Sequence, residues 1–224
     1  MPLIMILVDC GLELIPNQIR NHPAVKNNIN NKLYSSQLLD NAIHHSAMKN
    51  LKNFQKRGRP DIAHICILNA LGSPLNKSGY LDLFIHTANN KIFNIKPEIR
   101  INRNFNRFKG LMAKLLIDGQ IKLAKNSSII PFDGNLKDLT ERFNDAQVIL
   151  FSSKGELVKN YRDLFSADLS KNYIVIIGGF QKGTFSSEIL QLSDIIISIS
   201  KNSLDASIVV NRIITYYELI NNIL

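Results

Sequence analysis

Acidic residues are in short supply. The 224-residue chain has 18 of them against 27 lysines and arginines, a formal net charge of +9. Such a balance favours polyanionic partners, nucleic acid first and anionic membrane surfaces second. Cysteine is scarcer still, with only Cys10 and Cys66. Two thiols in apolar surroundings lack the density of a secreted disulfide scaffold and the spacing of a zinc site. They read as buried, reduced thiols of a cytosolic protein. Long apolar runs are also missing. The opening LIMILV is too short to span a bilayer, and Asp9 interrupts it. It has neither a basic n-region nor a cleavage-site pattern, so it does not read as a signal peptide. The expectation is a soluble intracellular protein with no membrane and no metal.

The familiar catalytic signatures are absent as well. His22, His44, His45, His64 and His86 show no HExxH or other ligand spacing, and the adjacent His44 and His45 read as surface residues of a polar helix. There is no GxSxG and no visible Cys/His dyad. The loop GGFQKG, residues 178–183, is followed directly by Thr184, so no Walker A lysine is present. Phe180 stands where GxGxxG requires glycine, which makes a dinucleotide reading poor. The loop is then either a tight strand-to-loop turn or a place where backbone approaches a ligand.

What the sequence does have is a packed core and an alternation of elements. Hydrophobic residues make up 45% of the chain, which argues against global disorder. Strands are expected over 3–8, 147–151, 173–177 and 194–199, and a strand is favoured for the short apolar run 62–71. Residues 81–87 and 91–95 alternate apolar and polar around a turn at 88–90 and read as a hairpin. Helical spacing appears near 38–51 and over 104–116, 156–164 and 205–219. The Asn-rich stretch 27–31 reads as a loop. Alternating strands and helices imply an α/β layered fold with a mostly parallel sheet, one domain over 1–224.

Three segments could carry function. In RGRPDI, residues 57–62, Pro60 keeps Arg59 out of the helical region, and Asp61 is placed to orient its guanidinium. The plain alternative is a strand-entry turn with a surface ion pair of little value. In SISKNSLDAS, residues 198–207, Ser203 or Asp205 could cap the last helix. Yet a parallel strand end beside another glycine-rich strand end is where α/β sheets bind ligands. In KPEIRINRNFNRFKG, residues 96–110, Phe105 and Phe108 share the apolar stripe. Arg103 and Arg107 lie one helical turn apart off it, and Arg100 precedes the helix. From Lys91 to Lys114 the only acid is Glu98, so these arginines are not neutralised locally. Their planar forks suit phosphate oxygens. A solvated basic face is the plain alternative.

Taken together, RPDI, SPLNKSGYLDLFIHT, IKPEIRINRNFNRFKGLM, IIGGFQKG and SISKNSLDAS resemble, in order, the archaeal and eukaryotic ribosome-biogenesis family that methylates N1 of pseudouridine in small-subunit rRNA. That family belongs to the SPOUT superfamily. The resemblance covers most of the chain from residue 57 onward. It implies a trefoil knot around 147–224, an RNA-binding insertion around 73–110, a homodimer, and bound S-adenosyl-L-methionine. Arg59, Arg100, Arg103 and Arg107 fall on the family's rRNA-contacting arginines, and Asp61 on the acid that steadies the first. Arg59 and Asp61 are the implied catalytic pair. Ser153, Gly178, Gly179, Gly183, Ile196, Ile197, Ser198, Ile199, Ser200 and Lys201 fall at cofactor-binding positions. Lys182 departs from the His or Tyr usual before the last loop glycine. The implied location is the cytoplasm, or the nucleolus in a eukaryote. The competing readings are a non-enzymatic rRNA-binding assembly factor of the same fold, a knotted tRNA methyltransferase, and a nucleotide-binding α/β protein.

Overall fold

The structure, a computed structural model, describes residues 3–29, 37–122 and 128–223. The expected loop at 27–31 therefore lies partly outside the described residues. One eight-stranded sheet organises the chain. Its strands are β1 (Leu3–Cys10), β2 (Leu81–Thr87), β3 (Ile92–Ile95), β4 (Ile121–Lys122), β5 (Ser128–Phe132), β6 (Ala146–Leu157), β7 (Asn172–Gly178) and β8 (Ile195–Ser198). The spatial order is β4-β5-β3-β2-β1-β7-β6-β8. From β2 through β1, β7 and β6 to β8 every pairing is parallel. The β2–β3 hairpin and the β3–β5 and β4–β5 pairs are antiparallel.

β1 is buried along nearly its whole length because both faces of the sheet are covered, as the unbroken apolar run LIMILV requires. Leu3, Met5 and Leu7 face the larger core, which includes residues of α3 (Pro60–Gly72), α5 (Phe105–Asp118) and α8 (Ala206–Ile220). Ile4, Ile6 and Val8 face a smaller one, closed by Leu136 and Leu139 of α6 (Leu136–Glu141) and Ile189 of α7 (Ser187–Leu190). A satellite core joins Val25 of α1 (Pro23–Lys26) to Ala47 and Met48 of α2 (Asn41–Met48).

Three expectations are corrected. The run 62–71 lies within helix α3, not a strand. Pro60 sits at its first position and Asp61 in its first turn, both suited to a helix start. The helix packs against β1, α5 and α8, so little of its surface needs to be polar, and no amphipathic period marks it. The expected helix 156–164 is instead the tail of β6, then a single 3₁₀ turn at Tyr161–Asp163. Pairing of Glu156 and Leu157 with β8 overrides the local pattern. His44 is not a surface residue: it is buried, its Nδ1 accepting the Asp40 backbone N–H at 3.0 Å, while His45 is exposed.

Candidate functional site

Because β1, β2, β6, β7 and β8 run parallel, their carboxyl ends share one edge, where α/β sheets place ligands. A cavity of about 710 Å³ opens there. Three chain segments build it. The first leaves β6 between Phe151 and Glu156, both of which lie opposite Ile197 of β8; residues 152–154 of that excursion line the cavity. Gly155 closes the excursion, and a Cβ there would fall 2.6 Å from the Ile197 backbone, so no side chain fits. The second is the loop after β7, with Gly178 and residues 180–185. The third follows β8 through residues 198–200 and 202–204 into α8, where Ala206 and Val209 line the wall.

Of the residues implicated by sequence, Ser153, Gly178, Gly183, Ile196, Ile197, Ser198, Ile199 and Ser200 line the cavity. Gly179 instead backs onto β1: its N–H donates to the Val8 carbonyl at 2.7 Å, and a Cβ would meet Cys10 Sγ. Lys201 is exposed and is not part of the lining. The walls mix apolar side chains (Ile177, Ile196, Leu204 and Val209 among them) with hydroxyl and amide ones (Ser153, Thr184, Ser200 and Asn202 among them) and lysines 154 and 182, and hold no Asp, Glu, His or Arg. Asp205 starts α8 but makes no side-chain capping bond.

Residues 56–61 run along the same edge. Gly11, just past β1, lets this segment approach: a Cβ there would lie 2.7 Å from the Arg59 nitrogen. Arg57 forks onto Glu13, which is buried, with contacts of 2.7 and 2.5 Å. Arg59 forks onto Asp61 through Nε–Oδ1 at 2.8 Å and Nη2–Oδ2 at 2.6 Å. That hydrogen bond raises the Arg59 pKa, helped by the charges of Asp61, Asp205 and Asp40. Burial pushes the Asp61 carboxyl up, but the Arg59 bond and charge outweigh it and hold the group below its usual range. Of the guanidinium's five N–H groups, two serve Asp61 and three remain for a ligand.

The second basic segment is set by burial. Ile99 and Ile101 enter the core and Arg100 between them is exposed. Asn104 caps α5 by accepting the Arg107 N–H at 3.1 Å. Phe108 is fully buried and Phe105 partly so. Arg103 and Arg107 are exposed, and among the described residues neither they nor Arg100 makes an ion pair. Among the described residues, no hydrogen bond or ion pair links these three to Arg59. The two segments are tied indirectly. His64 of α3 donates from Nε2 to the Asn102 carbonyl at 2.7 Å, and its ring stacks on Phe108 at 4.3 Å. Asp40, whose charge is felt by Arg59, also accepts from Lys109 of α5 at 2.7 Å.

Sequence reasoning missed His64, the β6 excursion and the inward turn of Lys56, whose Nζ donates to Asp9 Oδ2 at 2.7 Å. The run of basic residues before Pro60 was the one signal, and it does not reveal which of them turns in. Cys10 and Cys66 are free and buried; burial pushes the Cys66 thiol up to about 12. Among the described residues no cluster of three or more His, Cys, Asp or Glu could hold a metal, and no helix is long and apolar enough to cross a membrane.

Comparison with known proteins adds three findings. A family model described as EMG1/NEP1 methyltransferase matches residues 5–218. The ribosomal RNA small subunit methyltransferase Nep1 of Staphylothermus marinus is 41% identical, covering 100% of this chain and 98% of its own. That of Thermococcus kodakarensis is 36% identical over 96% of each. The crystal structure of Archaeoglobus fulgidus Nep1 bound to S-adenosylhomocysteine superposes with a TM-score of 0.88 at 34% identity, covering 99% of this chain and all of that one.

Proposed function

The chain belongs to the EMG1/NEP1 methyltransferase family, and from that premise we propose that it methylates small-subunit ribosomal RNA from S-adenosylmethionine, at N1 of a pseudouridine. One observation carries the reading: the cavity and the Arg59–Asp61 fork lie on one sheet edge, with Lys56 of the Arg59 segment set against the cavity-lining Phe180 and Gly183.

The cavity fits the cofactor by its chemistry. Its volume suits a nucleoside-sized ligand. S-adenosylmethionine carries no phosphate, which agrees with a lining free of arginine and a loop that is neither Walker A nor GxGxxG. Backbone N–H and C=O groups of residues 152–154, 178, 180–183, 198–200, 202 and 203 are the groups that would read adenine. When bound, S-adenosylmethionine supplies an activated methyl group.

Arg59 is held ready by Asp61, so its spare N–H groups face a ligand without first paying for alignment. In the methylation of a ring N–H flanked by a carbonyl, those groups would stabilise negative charge on the oxygen. Among the described residues, the cavity lining offers the departing proton no strong acceptor. Asp61 is made a weak base by its arginine, and the cavity lining holds no carboxylate or imidazole. The proton therefore passes to water. The target nucleotide must leave its stack to reach the cavity, and Arg100, Arg103 and Arg107 would hold its flanking phosphates.

The same reading takes the chain as a single methyltransferase domain, with an RNA-binding insertion and a C-terminal trefoil knot. The strand order β1-β7-β6-β8, which places β6 between the later strands β7 and β8, is compatible with such a knot. It takes the enzyme as a homodimer, supported by exposed Ile65 on α3 and Ile208 and Leu219 on α8, and as cytoplasmic, in line with the archaeal relatives. Radiolabelled methyl transfer to a small-subunit hairpin containing pseudouridine tests the activity, with the uridine hairpin and tRNA as controls. Transfer to the first alone is expected. RNA binding without transfer would leave a non-enzymatic assembly factor, and transfer to tRNA alone would reassign the substrate.

A further inference from the structure

The loop after Gly179 is held by few contacts. Among the described residues, Gln181, Lys182 and Thr184 make no hydrogen bond or ion pair. Phe180 and Phe185 meet edge to face at 5.5 Å, which closes the loop on itself. From outside comes Lys56. Its ammonium lies 4.6 Å from the centre of the Phe180 ring, and its Cε lies 3.0 Å from where a Gly183 Cβ would be. The same ammonium donates to Asp9 Oδ2 at 2.7 Å. Asp9 is itself fixed at the end of β1, where its N–H donates to His86 Nδ1 at 3.2 Å. Lys56 thus clamps a sparsely bonded loop to the sheet. It also begins the segment that carries Arg57, locked on Glu13, and Arg59, locked on Asp61.

We propose that Lys56 is a positioning residue that couples the two substrates: it joins the loop at 178–183 to the segment bearing Arg59, so each substrate binds more tightly when the other is bound. The inference rests on the proposed function, in which that loop holds S-adenosylmethionine and Arg59 meets rRNA. Its physical basis is shared ordering. A ligand that fixes the loop must restrict Phe180 and Gly183, and through the lysine stem it restricts residues 56–59. The second ligand then meets a segment already ordered. Because coupling is reciprocal, the same factor applies in both directions.

The test is calorimetric titration of S-adenosylhomocysteine into the full chain, alone and saturated with the small-subunit hairpin. For the unaltered protein, affinity should rise about five-fold or more when RNA is present, the lower end of typical couplings. Lys56→Met keeps the stem on the loop but removes the ammonium. Asp9→Asn removes the carboxylate charge while tolerating the positive φ of 54° there. Both should reduce the coupling to less than two-fold, and Lys56→Arg should restore it. Unchanged coupling in Lys56→Met and Asp9→Asn would overturn the inference, as would its absence in the unaltered protein when both ligands bind. Failure of the unaltered protein to bind either ligand would instead overturn the proposed function and this inference with it.

Discussion

His64 Nε2 donates to the carbonyl of Asn102 across 38 residues of sequence, at 2.7 Å. The bond pins the extended strip that carries Arg100 and Arg103 to the helix that begins beside Arg59. Replacing His64 with leucine leaves that carbonyl without its partner and removes the ring stacked on Phe108. We expect a loss of about 1–3 kcal/mol of stability in denaturant titration. RNA affinity should fall several-fold while S-adenosylhomocysteine affinity holds. Equal loss of both would mean that His64 acts only through global stability.

Arg103 and Arg107 are exposed and unpaired by any described acid, so their effect should be electrostatic. Each alanine variant is predicted to weaken RNA binding and to reduce the slope of log K against log salt by about one. Cofactor affinity should not move. A salt slope unchanged in both variants would remove them from the RNA surface.

Asp61→Asn keeps the shape of the fork but not its charge. Methyl transfer should fall about ten-fold or more through misalignment of Arg59, with a smaller change in RNA binding. Because the folded carboxyl titrates below its ordinary value of 3.8, whatever stability the pair contributes is present above that pH and lost as pH falls through the lowered folded value. With the Asp61 side chain 39% exposed, that contribution is small. Thermal melts of the parent and variant should therefore converge only in strong acid.

His44 and His86 give the opposite end of the accessible range. Burial lowers both from 6.5, against the opposing charges of Asp40 for His44 and of Asp9 and Glu188 for His86. Unfolded chains bind protons there that the folded protein refuses, so stability should be full above about pH 6.5 and decline below it. His86→Gln should flatten part of that decline in melts between pH 5 and 7. An unchanged profile would assign the acid sensitivity elsewhere.

Two glycines should respond in opposite directions to alanine. At Gly155 the added carbon falls 2.6 Å from the Ile197 backbone, and about 1–3 kcal/mol should be lost together with cofactor affinity. At Gly110, inside α5 with open space around it, about 0.5–1 kcal/mol should be gained.

These contrasts also show what could be read before any coordinates. β1, the hairpin and α5 were legible because each carries a local pattern: a continuous apolar run, two apolar-rich segments around a turn, and one aromatic stripe with a cap. Helix α3 was not, since burial on several sides removed the polar face that would have given a period. The β6 tail was not, since Glu156 and Leu157 pair with Ile197 and Ser198, far outside any local window. The glycine loop and the arginines were legible by type, and the Arg59–Asp61 fork by its spacing. The inward turn of Lys56 and the His64 anchor depend on distant partners, Asp9 and Asn102, which no local window contains.

The excursion of β6 has a consequence of its own. Phe151 and Glu156 both lie opposite Ile197, so the strand leaves the sheet and rejoins it at the same rung. Residues 152–154 can therefore be exchanged, with Gly155 kept, while every rung before and after keeps its partner. One wall of the cavity is in effect a replaceable panel on an unaltered frame, which lets selection remodel the ligand site without renegotiating the fold.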